Sequence, residues 1–292
     1  MPSRRSVVLI LLFWLATTGY IAYRDIWPVL FASGPPPIAI ELADEAAQNI
    51  PIRWKINWNG NPAGLLVTQM RYVESDDTFR FINDYKNLKL DVAGITMTVP
   101  EFTTVVRVTR AGDLREQTAE GKLQLELHGM TLGSATVKLA GTVSEGKLTT
   151  NIEGSYTVPL FGTKPISRIL DSVPVPVGQP LNPLQPVNRI RGVKPGRQWV
   201  VNESDPMKDV GEALVKELGP KLPDTQRAPL VGEVLSEAQE LHWGKHSDTC
   251  WVIEYRRDGE LTARTWVRVS DSKVLKQEAF HKGETIAIER EE

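Results

Sequence analysis

The sequence predicts a mainly β protein of the α+β class behind an N-terminal transmembrane helix. Three observations predict it. A charge-free run from Val7 to Tyr23 follows the Arg4-Arg5 pair. Long stretches after Ile52 alternate apolar and polar residues with a period of two, the mark of antiparallel strands with one buried and one solvated face. A single later stretch, residues 206–218, carries a clear helical stripe of Val210, Ala213, Leu214, Val215 and Leu218.

The N-terminal run comes first. As a helix, residues 7–23 span roughly 25 Å at ~1.5 Å per residue, just enough for a thin bilayer. Arg24 and Trp27 suit its far interface. The preceding positive pair predicts residues 1–5 in the cytoplasm, residues 6–23 as a signal anchor and the rest outside. That places a single-pass protein in the cell membrane, with the lipid bilayer as a partner through Val7 to Tyr23 and a C-terminal domain that is periplasmic in a two-membrane cell. The competing reading is a cleaved signal peptide with a cut after Gly19, although Tyr20-Ile21-Ala22 puts bulk where small residues are favoured. Residues 24–37 form a spacer, stiffened by Gly34-Pro35-Pro36-Pro37. Residues 40–48 suit a short amphipathic helix, and residues 38–292 read as one extracytoplasmic β-rich domain.

Within that domain, Asn59-Gly60-Asn61-Pro62 joins residues 52–58 and 64–73 as a hairpin. Residues 79–81, 88–92, 95–99 and 105–109 are weaker strand candidates. Cleaner alternation follows in Leu123, Leu125 and Leu127, in Val137, Leu139 and Val143, and in Leu148, Ile152, Tyr156 and Val158. Residues 159–196 hold eight prolines and predict an irregular insertion, because proline cannot donate to a ladder. Asp205 and Pro206 then cap and start the helix, and Gly219-Pro220 stops it. Strands return at 231–243, 250–257, 261–269, 274–280 and 286–290, with turns such as Asp258-Gly259 between them.

Composition narrows the function. At 41% hydrophobic, 24% charged and net charge -2, the chain is an ordinary folded protein with no basic footprint for nucleic acid. One cysteine excludes an internal disulfide and a multi-cysteine metal centre. His242, His246 and Cys250 have a spacing that would ligate zinc on a helix, but Gly244 puts them at a hairpin, where turn histidines and a packed thiol are the simpler reading. Cys250 as a nucleophile would need a nearby base and a lowered pKa. Glu41, Asp44 and Glu45 suit a helix start better than acid–base chemistry. Arg189, Arg191, Lys194 and Arg197 form a basic stretch that is either a solvated loop or a contact for anionic headgroups. No phosphate loop, dinucleotide fingerprint, nucleophile elbow or zinc-protease helix is present. No cofactor, metal or catalytic residue is expected.

The C-terminal strands also carry a resemblance. Cys250-Trp251-Val252-Ile253-Glu254-Tyr255, then Thr265-Trp266-Val267-Arg268-Val269-Ser270-Asp271, then Val274-Leu275-Lys276-Gln277-Glu278, resemble periplasmic lipoprotein-carrier-like domains of the Lol type. Trp54-Lys55-Ile56-Asn57-Trp58 and Ala63-Gly64-Leu65 look like the opening hairpin of that group. The resemblance implies a curved, unclosed antiparallel barrel with helices over its concave face, here the helix at 206–218. The implied function is a membrane-anchored binding module for a lipid, acyl chain or hydrophobic peptide, with Trp251, Trp266 and Leu214 as candidate ligand contacts. The alternative is a structural or envelope-assembly protein that pairs with other envelope proteins through sheet edges and takes no small-molecule ligand. An enzyme is the third reading.

Overall fold

Alternating sequence builds one continuous antiparallel sheet. The computed structural model describes residues 13–14, 17–18, 50–92, 95–110, 113–159, 161–170, 172–175, 187–201, 230–281 and 283–291. The chain divides into two units, residues 1–35 and 36–292, and the sheet belongs to the second. Its strands are β1 (Ile52–Trp58), β2 (Asn61–Val73), β3 (Thr78–Val92), β4 (Ile95–Thr109), β5 (Leu114–Leu127), β6 (Met130–Ser144), β7 (Lys147–Val158), β8 (Gly162–Ile169) and β9 (Val173–Pro174). They continue as β10 (Gln198–Val201), β11 (Leu230–Val234), β12 (Gln239–Trp243), β13 (His246–Arg257), β14 (Glu260–Arg268), β15 (Val274–His281) and β16 (Glu284–Arg290).

Strand order is β10-β11-β13-β14-β15-β16-β1-β2-β3-β4-β5-β6-β7-β8, with β12 beside β11 on β13 and β9 beside β8 on β7. The last strand pairs with the first, Ile288 opposite Ile56. Among the described residues no ladder joins β8 to β10, so the barrel is unclosed. Tight turns set the hairpin registers. Asn59 and Gly60, for example, both take positive φ (48° and 80°), the conformation that matches the right-handed twist of the strands they join.

One face of the sheet turns inward. Trp54, Leu66, Tyr85, Phe102, Val137, Ile166, Trp199, Val234 and Ile253 belong to a single buried cluster that reaches from β8 to β10. Gly232 lets the far end close: a Cβ there would come within 2.7 Å of the Trp199 ring, which lies over it and meets Tyr255 edge-on at 6.3 Å. A row of buried polar groups crosses the same face. Trp54 Nε1 donates to Thr68 Oγ1 at 2.9 Å and Asn83 Nδ2 to Thr104 Oγ1 at 3.2 Å. A second apolar cluster, with Phe79, Val106, Val108, Leu114 and Leu148, packs separately from the first.

The C-terminal strands are buried on both faces. Leu241, Cys250, Val252, Trp266 and Leu275 make a third cluster. Nearby, the buried carboxylate of Glu254 accepts from Arg256 Nε at 3.1 Å and Arg264 Nε at 2.9 Å. Burial pushes its pKa up, but the two guanidiniums outweigh that and hold it below the usual carboxylate value. A depressed folded pKa adds stability above the unfolded value of ~4.3 and loses it as pH falls through the folded one. Glu254→Gln should therefore cost about 1–3 kcal/mol at neutral pH. Urea titrations at falling pH should show the parent and the variant converging below about pH 4. A gap that persists in acid would mean that packing, and not charge, accounts for the loss.

Several sequence expectations are corrected here. The α+β class is replaced by an essentially all-β one: the described residues hold strands, one 3-10 turn at Glu74–Asp76 and no helix of seven residues or more. No helix among them is long and apolar enough to cross a membrane. The transmembrane helix, the signal anchor, the bilayer as a partner through Val7 to Tyr23 and the single-pass membrane location are therefore not upheld. Apart from Phe13, Trp14, Thr17 and Thr18, that run lies outside the described residues. So does the stretch 206–218, and the covering helix is likewise not upheld. The membrane-anchored binding module falls with them. Finally, β8 and β9 occupy part of the stretch expected to be irregular. Pro165 fits because β8 ends the sheet path.

Candidate functional site

The residues singled out by sequence do not converge. Register places Trp251 opposite Val267 and Val252 opposite Trp266, so the two tryptophans point to opposite faces. Trp251 is half-buried against the main core, whereas Trp266 belongs to the third cluster. The Lys276 ammonium sits 5.6 Å from the Trp266 ring centre and is held by Glu278 at 2.8 Å and Glu289 at 3.0 Å. Leu214, Glu41, Asp44 and Glu45 lie outside the described residues.

The geometry gives Cys250 no nucleophilic character. Its side chain is buried as part of the third cluster. Burial first, then the charge of Asp248, push its pKa up to about 11, against the opposing charge of Arg268. His242 and His246 are exposed on the β12–β13 hairpin, where the His246 ring lies tilted beside that of Trp243, 5.8 Å between centres. No group of three or more metal-binding side chains occurs among the described residues. A thiol reagent at pH 8 should leave folded Cys250 unmodified and label it once the chain is unfolded in urea. Rapid labelling of the native protein would reopen the enzyme reading.

The basic stretch belongs to a strap across the sheet. Ile190 N donates to Ser272 O at 3.0 Å, Val274 N to Asn188 O at 3.0 Å, and Arg189 bridges to Lys273. Val187 and Ile190 are buried in the main core, while Arg191 and Lys194 are exposed.

What remains, among the described residues, is the end of the sheet path at β8. Leu170 N donates to Thr150 O at 2.8 Å, and the β7–β8 register runs from Asn151 opposite Ile169 to Val158 opposite Gly162. Antiparallel pairs alternate between bonded and non-bonded, so the even residues of β8 spend their backbone groups on β7. The odd residues, Thr163, Ser167 and Ile169, direct N–H and C=O away from it, and Pro165 directs only a C=O. Side chains alternate as well. Ile166 is buried, with Lys164 and Arg168 on its face, and Ile169 is exposed on the other. The sequence reading missed this strand because of its prolines. The signal was present in the alternation of Lys164, Ile166 and Arg168 around a single Pro165.

Comparison with known proteins adds little beyond the fold. No family model matches the chain, and no curated protein matches it. Among solved structures it is similar to a β-barrel-like protein of a domain of unknown function, DUF1849, from Brucella abortus, at 9% identity and a TM-score of 0.35. That match covers 84% of this chain and 97% of the other. It is a distant β-barrel-like likeness that does not single out the Lol-type carriers, and at that score it carries no argument about function.

Proposed function

We propose that this is a structural interaction protein that acts through its sheet and takes no small-molecule ligand. The observation that supports the reading is the continuous core. Among the described residues one cluster of the protein's own side chains extends from Ile166 on β8 to Trp199 on β10, so the inward apolar face is taken up by the protein's own packing. Among the described residues the sheet path ends at β8 and at β10, and an unpaired edge is a ready template for another chain. A finer kinship with Lol-type half-barrels is supported only by the short motifs of β13, β14 and β15.

The test is mass spectrometry of organic extracts from the full chain purified without detergent. No lipid at stoichiometric level is expected. One lipid per chain would overturn the proposal and return the binding-module reading in a form without the anchor.

A further inference from the structure

We infer that Asn59 is a latent modification site: its side chain completes the β1–β16 ladder, and spontaneous deamidation through Gly60 takes place only when that ladder opens. Register between the two strands runs as far as Trp58 opposite Ile286. A further pair would call on the Asn59 backbone carbonyl, but the φ of 48° there belongs to the two-residue turn between Trp58 and Asn61. The side chain takes over that part. Asn59 N donates to Thr285 O at 2.8 Å, and Thr285 N donates to Asn59 Oδ1 at 2.8 Å. The Asn59 backbone carbonyl accepts instead from Asn61 Nδ2 at 3.5 Å. A side-chain amide thus stands in for a main-chain carbonyl where the first strand meets the last.

The same amide is chemically labile. Asn59-Gly60 is the one Asn-Gly pair in the sequence, and glycine has no Cβ to shield its amide nitrogen. That nitrogen can attack Asn59 Cγ. The N–Cγ bond forms, the Cγ–Nδ2 bond breaks, and ammonia leaves with the proton that the Gly60 amide gives up. Water then opens the cyclic imide at one of its two carbonyls, leaving aspartate or isoaspartate. Ring closure needs Cγ to swing towards Gly60 N. In the folded chain Oδ1 is tied to Thr285 N, and the Asn59 backbone is tied to Thr285 O. Attack therefore waits on a local opening of β1 from β16. The two products differ in effect. Aspartate keeps an acceptor oxygen within reach of Thr285 N. Isoaspartate adds a carbon to the main chain of a two-residue turn, whose geometry sets the hairpin register, and carries the acceptor away.

The test follows the peptide containing Asn59 by mass spectrometry while the full chain is held at mildly alkaline pH. Deamidation should be at least about tenfold slower in the folded chain than in urea. Thr285→Pro lacks the N–H that holds Oδ1 and should raise the folded rate severalfold. If that variant does not fold, the parent decides the matter: through sub-denaturing urea, deamidation and hydrogen exchange at the Thr285 amide should rise in step. The isolated isoaspartate form should lose protection at the Thr285 amide, whereas Asn59→Asp should keep most of it. A folded rate equal to or above that in urea, a folded Thr285→Pro with the parent's rate, deamidation that does not track Thr285 exchange, or an isoaspartate form with full Thr285 protection would overturn the inference.

Discussion

Trp54→Ala should cost about 3–5 kcal/mol, the largest effect expected of any single substitution here. The side chain is fully buried, and its register places it between Arg290 of β16 and Leu66 of β2. Three kinds of contact end together with it. Its indole N–H leaves Thr68 Oγ1. Its ring leaves the Arg290 guanidinium, 5.7 Å from the ring centre. Its bulk leaves the main core, creating a cavity where the first and last strands of the sequence meet in the middle of the sheet. Arg290 in turn bonds Asn188 Oδ1 at 2.9 Å, so loosening the ring also loosens the strap. Urea unfolding measures the loss. Trp54→Phe keeps most of the volume and drops the hydrogen bond, so it should lose roughly 1–3 kcal/mol. Equal losses for the two variants would show that packing contributes nothing beyond the indole N–H.

A chain cut after Val175 should not fold at all. It keeps β1 to β9, but β1 loses its β16 partner along five register pairs, from Trp54 to Trp58. The main core loses Trp199, Leu230, Val234, Ile253, Tyr255, Ala263, Val267 and Val274 in the same step. We expect an aggregated or unstructured product by circular dichroism, and a single melting transition for the full chain. A truncated chain that melts cooperatively, or two separate transitions in the full chain, would divide residues 38–292 into two domains.

Strands were legible where the alternation kept its phase and obscured where it slipped. The last four, β13 to β16, were legible from the turns that bound them, such as Asp258-Gly259, although β13 and β14 carry register shifts of their own. The sequence breaks β3 into two weak pieces because the inward set changes parity, from Phe79 and Tyr85 to Leu88 and Leu90. Asn87 sits between them with φ at 51°, a left-handed residue that shifts the phase by one. A register shift between Thr98 and Glu101 divides β4 in the same way, with buried Val99 within it and buried Phe102 just after it. The short β10 has too few residues to show a period. At the candidate site, Lys164 and Arg168 stood in view, but Pro165 between them argued against a strand until the edge position was known. The opposed faces of Trp251 and Trp266 follow from cross-strand register, which composition does not encode.

The pairing of the last strand with the first also has a consequence for folding order. Every other ladder joins strands that are neighbours along the chain or one apart, so most of the sheet can assemble by local zippering of hairpins. Joining β1 to β16 brings together Ile56 and Ile288, positions at opposite ends of the sheet-forming sequence. The entropy of closing that loop must be met before the contact returns anything, which makes it the natural late step. Until it happens, neither group of strands has the core it shares with the other, and each presents an extra raw edge. The interval before closure is thus when the polypeptide is most exposed to mispairing with its own kind, and the charges along β1 and β16, such as Arg53, Lys55, Glu289 and Arg290, stand as guards during it.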